Sequence, residues 1–153
     1  LSGIESPDSF GKKTGHIIIV GYGINGRNVA RAASIAGIPY LIIEMNPDTV
    51  RREQENGEHI IFGSADQAAV LEYAGIAAAR VLVIAIADPA STRQVTVVAR
   101  KANQDIYIIA RTRYLQEVQP LYDLGADEVI PEEFETSVEI FTRVLKKYLV
   151  PLD

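Results

Sequence analysis

The sequence contains no cysteine, which removes disulfide frameworks, thiolate metal sites and thiol nucleophiles from consideration. Histidine is nearly as scarce. His16 and His59 each stand at the start of an apolar run with no second metal-type ligand nearby, so both read as strand-edge residues rather than ligands or bases. No apolar run approaches the roughly 20 residues of a membrane-spanning helix; the longest is VLVIAIA, residues 81–87. There is no basic run either. The net charge is −5, and the pairs Arg51-Arg52 and Lys146-Lys147 fall on helix faces expected to be solvated, so the electrostatic footprint of a nucleic-acid binder is missing. The carboxylates form no dense cluster of the kind Ca²⁺ takes.

What is present is ordinary globular composition, 48% hydrophobic and 23% charged over 153 residues. That is enough for one domain with a sizeable core and too little for a two-domain dehydrogenase. Residues 1–15, LSGIESPDSFGKKTG, lack periodicity and read as a linker or tag remnant ahead of a domain over residues 16–150. From His16 onward, short β-rich apolar runs alternate with segments of helical period. Strands are predicted at HIIIV (16–20), YLIIE (40–44), HIIF (59–62), RVLVIAI (80–86), IYIIA (106–110) and EVI (128–130). Their continuous apolar character predicts strands buried on both faces, as in a parallel sheet covered by helices.

Several helices announce their own boundaries. Asp88-Pro89 is a capping residue followed by proline at the first helical position and predicts a helix from Pro89 to about Lys101. Asn46-Pro47 repeats the signature before a short helix ending near Gly57. Pro131 is expected to open the last helix, where Phe134, Val138, Phe141, Leu145 and Tyr148 form an apolar stripe that Ile140, Val144 and Leu149 widen. Such a stripe either packs against a second subunit or closes the domain core. The whole is βαβαβαβαβαβα, which predicts an α/β Rossmann-type doubly wound sheet of six parallel strands in the order 3-2-1-4-5-6.

GYGING, residues 21–26, follows the first strand and opens a helix, the context a G-x-G-x-x-G turn needs. Gly21 allows the tight turn, Gly23 lets backbone approach a pyrophosphate, and Gly26 lets the helix pack close to the strand. The helix N-terminus offers unpaired N–H groups and partial positive charge to a phosphate. Glu44, at the end of the second strand, is placed to accept from ribose hydroxyls and to repel a 2′-phosphate, which favours NAD or an adenine nucleotide over NADP. FGSAD, residues 62–66, follows the third strand beside the adenine side of the cleft; Asp66 either reaches the base, caps the next helix, or does both. Ala85 and Ile86 are small or apolar where the fourth strand would pass the dinucleotide.

The groups a dehydrogenase would need are missing. His16 and His59 lie at the amino ends of their strands, away from the ligand crevice. None of the seven tyrosines has a lysine four residues on, so the usual proton relay beside a nicotinamide is absent. A ligand sensor is favoured. An NAD-binding domain of a larger oxidoreductase and a dimerisation module with a vestigial cleft are the competing readings.

GYGINGRNVA, LIIEMNP, FGSADQAAVLEYAGI, VLVIAIADPASTRQVTVVAR, IIARTRY and LGADEVIPEEFETSVEIFTRVL together resemble the RCK domain, also called KTN or TrkA-N, with the nearest likeness to the cytosolic module of Kef-type monovalent cation:proton antiporters. The likeness covers about residues 16–150, and the segment GADEVIPEEFETSVEIF carries it more specifically than the glycine turn. It implies a non-enzymatic regulatory domain at the cytoplasmic face of the cell membrane, linked through residues 1–15 to a membrane antiporter or channel. It further implies binding of NAD(H), AMP or ATP, and a homodimer or higher oligomer that uses the terminal helix. The family segment usually written GDAT or GDAS is departed from: Ser64 stands where the family has its acid, and Asp66 follows two positions later. Arg111 matches a basic residue that in such domains approaches phosphates or the dimer interface; alternatively it makes a surface ion pair. The smaller C-terminal subdomain of many full-length relatives has no counterpart in these residues, as expected either of a piece of a longer chain or of a shorter variant. The candidate nucleotide-contacting residues are thus Gly21, Tyr22, Gly23, Ile24, Asn25 and Gly26 of the turn, Glu44, Met45 and Asn46, then Gly63, Ser64, Ala65 and Asp66, with Ala85, Ile86 and Arg111.

Overall fold

The computed structural model describes residues 13–149, the side chains of 133–136 excepted. Most of the expected linker, residue 150 and the Phe134 side chain therefore lie outside the described residues. The elements run β1 (Ile17–Val20), α1 (Ile24–Ala36), β2 (Tyr40–Glu44), α2 (Pro47–Glu55), β3 (Ile60–Phe62) and α3 (Ala68–Tyr73), then a 3₁₀ turn at Ile76–Ala78. After it come β4 (Val81–Ile84), α4 (Pro89–Ala102), β5 (Tyr107–Thr112), a second 3₁₀ turn at Leu115–Glu117, α5 (Val118–Leu124), β6 (Glu128–Pro131) and α6 (Glu132–Leu149). All six strands are parallel, in the predicted order β3-β2-β1-β4-β5-β6. Val20 lies opposite both Ile43 and Ile84, so the carboxyl ends of β2, β1 and β4 finish level and form one crevice.

Several boundaries differ from expectation, and β5 runs on to Thr112, taking in Arg111. Pro131 ends β6 instead of opening the last helix, pairing with Thr112, and α6 begins at Glu132. Proline is tolerated there because β6 is an edge strand whose outer side needs no ladder donor. β4 stops at Ile84. Ala85 still donates its N–H to the Val20 carbonyl at 2.9 Å, after which the chain turns away over the first glycine of the turn.

The two faces of the sheet are covered unequally, which corrects the expectation of strands buried throughout. One face is sealed along its whole width: Ile18, Leu41, Ile61, Leu82, Ile108 and Val129 pack under Leu71, Val95, Ala99 and Leu121 of α3, α4 and α5. On the other face α1 and α2 cover only β1–β3, through Ile19, Ile42 and Ile60 against Ala30, Ala33 and Val50. The reason is handedness. The chain winds one way from β1 to β3 and the opposite way from β4 to β6, so right-handed crossovers put α4 and α5 on the face opposite α1 and α2. Val83, Ile109 and Ile130 are left facing an open groove. Among the described residues, the terminal helix from Ser137 onward neither fills it nor closes the core. Every side chain from Ser137 to Leu149 is exposed, Phe141 at 60%.

Candidate nucleotide cleft

At the carboxyl end of β1 the glycines make a turn that other residues would block. Gly21 has φ +100°, and a Cβ there would meet the Ile86 side chain at 2.9 Å and the Ala85 carbonyl oxygen at 3.1 Å. At Gly26 the conflict is worse, since a Cβ would fall 1.8 Å from the Gly21 carbonyl oxygen. Gly23 differs in kind. Its φ of −76° suits any residue and nothing lies within 4 Å of a Cβ built on it, so its smallness leaves open space above the turn. It is also the capping residue of α1, and it brings no side chain to the helix's first N–H groups. The helices that start after β2 and β4 are closed by their own side chains. Asn46 Oδ1 accepts from the Asp48 and Thr49 N–H groups at 3.0 and 3.1 Å, and Asp88 Oδ2 accepts from the Ser91 N–H at 2.8 Å. Only α1, of these three, presents its positive end to the crevice uncapped.

Beside that end the Glu44 carboxylate is held on both oxygens by backbone. Tyr22 N–H donates to Oε1 at 2.9 Å and Asn46 N–H to Oε2 at 2.8 Å. Each oxygen keeps further acceptor capacity, so the group is oriented in advance for a pair of hydroxyls. A cleft of about 170 Å³ opens next to it, floored by Val20, Ile43, Ile86 and Val95 and walled by Gly21, Glu44, Met45, Gly63, Ser64, Ala65, Asp66, Asp88 and Ser91. Ser64 Oγ donates to Asp66 Oδ1 at 2.6 Å. Asp66 does not cap α3, whose capping residue is Gln67 without a side-chain bond, so its carboxylate stays on the cleft wall. The Ser91 hydroxyl and N–H hold the Asp88 carboxyl below the usual carboxylate range. The cleft thus has an acidic wall and, at its glycine end, an uncapped helix N-terminus. Among the described residues lining it there is no histidine, lysine or tyrosine. Asp88 and Ser91 were missed as cleft residues by the sequence reading. The signal was available, because anything directly after β4 at the strand-order reversal faces the crevice.

Other candidates lie elsewhere. The Tyr22 ring turns away from the cleft: its hydroxyl donates to Glu58 Oε2 at 3.3 Å, Tyr40 donates to the other oxygen of that carboxylate, and the Arg27 guanidinium stands 5.3 Å from the ring centre. Ile24 is 80% exposed at the start of α1. Asn25, Ala85 and Arg111 line the open groove on the uncovered face, a concavity of about 600 Å³ bounded also by Ile109, Ile130 and Glu132. Arg111 forms an ion pair there, its Nη2 lying 3.0 Å from Glu132 Oε2. At the opposite edge His16 is fully buried; its Nε2 donates to the Ala74 carbonyl at 2.8 Å, and burial lowers its pKa. His59 stands edge-on to the Tyr40 ring.

A doubly wound parallel sheet with a glycine turn and a fixed acid at the strand-order reversal defines a Rossmann-type domain. The TrkA-N domain model matches residues 17–132, and the chain belongs to that family. The match places it among regulatory domains rather than enzymes. Over 140 residues it is 27% identical to the glutathione-regulated potassium-efflux system protein KefC of Cronobacter sakazakii, covering 92% of this chain and 23% of that protein. Over 136 residues it is 29% identical to a putative K⁺ efflux antiporter, KefB, of Alkalimonas amylolytica, covering 89% and 21%. The chain therefore spans less than a quarter of these relatives. Among solved structures, the TrkA-N domain of the Escherichia coli inner membrane protein ybaL superposes with a TM-score of 0.79 at 27% identity, covering 91% of this chain and 99% of that one. The Kef C-terminal domain of Shewanella denitrificans in its AMP-bound form gives 0.75 at 27%, covering 88% and 82%. The GsuK channel bound to NAD gives 0.73 at 26%, covering 84% and 23%. No helix among the described residues is long and apolar enough to cross a membrane.

Proposed function

We propose that this chain is the nucleotide-sensing domain of a Kef-type potassium transport system, working at the cytoplasmic face of the membrane and gating cation:proton exchange in the protein that carries it. The observation that carries the reading is the Glu44 carboxylate, fixed by two backbone N–H groups beside the uncapped N-terminus of α1. A ribose on the acid and a phosphate on the turn satisfy both ends at once. Relatives solved with AMP and with NAD support the ligand class, an adenine nucleotide or NAD(H). The remaining candidate contacts, Met45, Gly63, Ser64, Ala65, Asp66 and Ile86, line the same cleft and would surround the nucleoside.

The output element is α6, an 18-residue helix whose apolar side chains from Val138 to Leu149 are exposed. Its stripe serves a homodimer, and the nucleotide biases that dimer between two arrangements by its difference in affinity for them. Calorimetry of NAD⁺, NADH, AMP, ADP and ATP on the purified domain tests the reading. Binding of at least one, without turnover of alcohols or hydroxy acids, is the expected result; no binding to any of them would leave a dimerisation scaffold.

A further inference from the structure

The phosphate turn and the first residue of the exposed helix meet through one side chain. Arg111 leaves the carboxyl end of β5 on the uncovered face of the sheet. On one side the Asn25 amide, oriented with its oxygen inward, accepts from Arg111 Nε at 2.8 Å and from Nη1 and Nη2 at 3.1 Å. On the other, Arg111 Nη2 is 3.0 Å from Glu132 Oε2. Asn25 is the second residue of α1, and its backbone belongs to the helix end that faces the cleft; Glu132 is the first residue of α6. Glu132 also has a second cation in reach, since Arg113 Nε stands 4.0 Å from the same oxygen, two positions further along the chain.

We propose that Arg111 is a positioning residue for the phosphate turn, and that the chain Asn25–Arg111–Glu132 makes occupancy of the cleft and the setting of α6 a single equilibrium. The proposal rests on the nucleotide reading above. A phosphate on the first N–H groups of α1 fixes the backbone of Asn25, which holds its amide oxygen where the guanidinium is satisfied and leaves Nη2 aimed at Glu132. With Asn25 displaced, Arg111 loses its hydrogen bonds to that amide and Glu132 is shared with Arg113, so α6 is rooted differently. The coupling is reciprocal: whatever changes the root of α6 changes nucleotide affinity by the same factor. The Glu132 side chain does not line the cleft, and the amide exchange of α6 read beside the affinity separates coupling through Arg111 from a contact with the ligand.

The test is calorimetry of AMP and NAD⁺ on the unmodified chain, Glu132→Gln and Arg111→Lys, with amide exchange of residues 132–149 followed with and without AMP. Expected is an affinity loss on the order of 3- to 30-fold in Glu132→Gln, and an AMP-dependent change in α6 exchange that is present in the unmodified chain and lost in the variant. Glu132→Asp, which keeps the charge, should recover part of the affinity, and it replaces Glu132→Gln if that variant does not fold. If the unmodified chain binds AMP or NAD⁺ and Glu132→Gln binds it equally well, the coupling is overturned while the nucleotide reading stands. If the unmodified chain binds neither, the nucleotide reading fails first and the coupling fails with it.

Discussion

Tyr22 and Glu44 are joined across 22 positions of sequence by a 2.9 Å hydrogen bond from the Tyr22 backbone N–H to Glu44 Oε1. The bond makes the turn after β1 and the acid after β2 one unit, so the spacing between the uncapped helix end and the carboxylate, the proposed phosphate and ribose seats, is set before any ligand arrives. Preorganisation of this kind reduces the ordering that binding must otherwise impose.

Glu44→Gln keeps the shape and removes the charge. Its amide cannot accept from Tyr22 and Asn46 on both ends, so one backbone donor then faces another donor. Adenine nucleotides should bind about 1–3 kcal/mol more weakly, and the preference for NAD over NADP should narrow; calorimetry with the four combinations of protein and cofactor checks both. NADP binding as tightly as NAD to the unmodified protein would show that Glu44 does not read the ribose.

The glycines separate fold from ligand. Gly26→Ala drives a methyl into the Gly21 carbonyl, 1.8 Å from the built Cβ, and should destabilise the domain by about 3 kcal/mol or more. Gly23→Ala meets nothing in the protein and should leave the thermal midpoint nearly unchanged while nucleotide binding is lost. Unaltered affinity in Gly23→Ala would move the phosphate away from this turn.

On α6, Phe141 is 60% exposed and supports no core contact that a charge would spoil. Phe141→Asp should therefore keep the circular dichroism spectrum and turn a dimer into monomers in sedimentation velocity. A dimer of unchanged strength would assign the interface elsewhere.

His16 sets a pH dependence. Burial disfavours its charged form and lowers its folded pKa below the ordinary 6.5, against the partial opposition of the Ala74 hydrogen bond. The unfolded chain then binds more protons than the folded one below about pH 6.5, so stability rises with pH through that region and falls on acidification. Urea midpoints should drop between about pH 7.5 and 5.5, and by less in His16→Gln, whose amide can still donate to Ala74. An equal drop in that variant would assign the effect to other groups.

The legible part of this fold lay in local chemistry. The strand order followed from alternation and crossover handedness, and the caps Asn46 and Asp88 are where the dipeptides Asn-Pro and Asp-Pro put them. What could not be read was which face each side chain takes once the sheet is built. Tyr22 and Asn25 sit inside the glycine motif, yet their side chains leave the cleft, toward Glu58 and toward Arg111. Asn25 faces a groove left where, among the described residues, no helix covers β4–β6 on that side. Arg100 shows the same blindness. Its guanidinium donates to the carbonyls of Gly125, Gln104 and Ile106 and to Asp127, stitching two loops to the end of α4, and no motif marked it.

The unequal covering of the sheet also grades how readily its parts come loose. β1 lies in the middle, sealed above and below, while β6 is an edge strand backed on one side only and is the root of α6. Partial opening proceeds from the least protected unit, so amides of β6 and β5 should exchange through excursions that leave β1–β3 closed. Three of the strand ends that frame the cleft, those of β1, β2 and β3, belong to the slow half, and α6 is rooted in the fast one. Loosening at the root of α6 can thus leave β1–β3 folded, and it reaches the cleft through Asn25, Arg111 and Glu132.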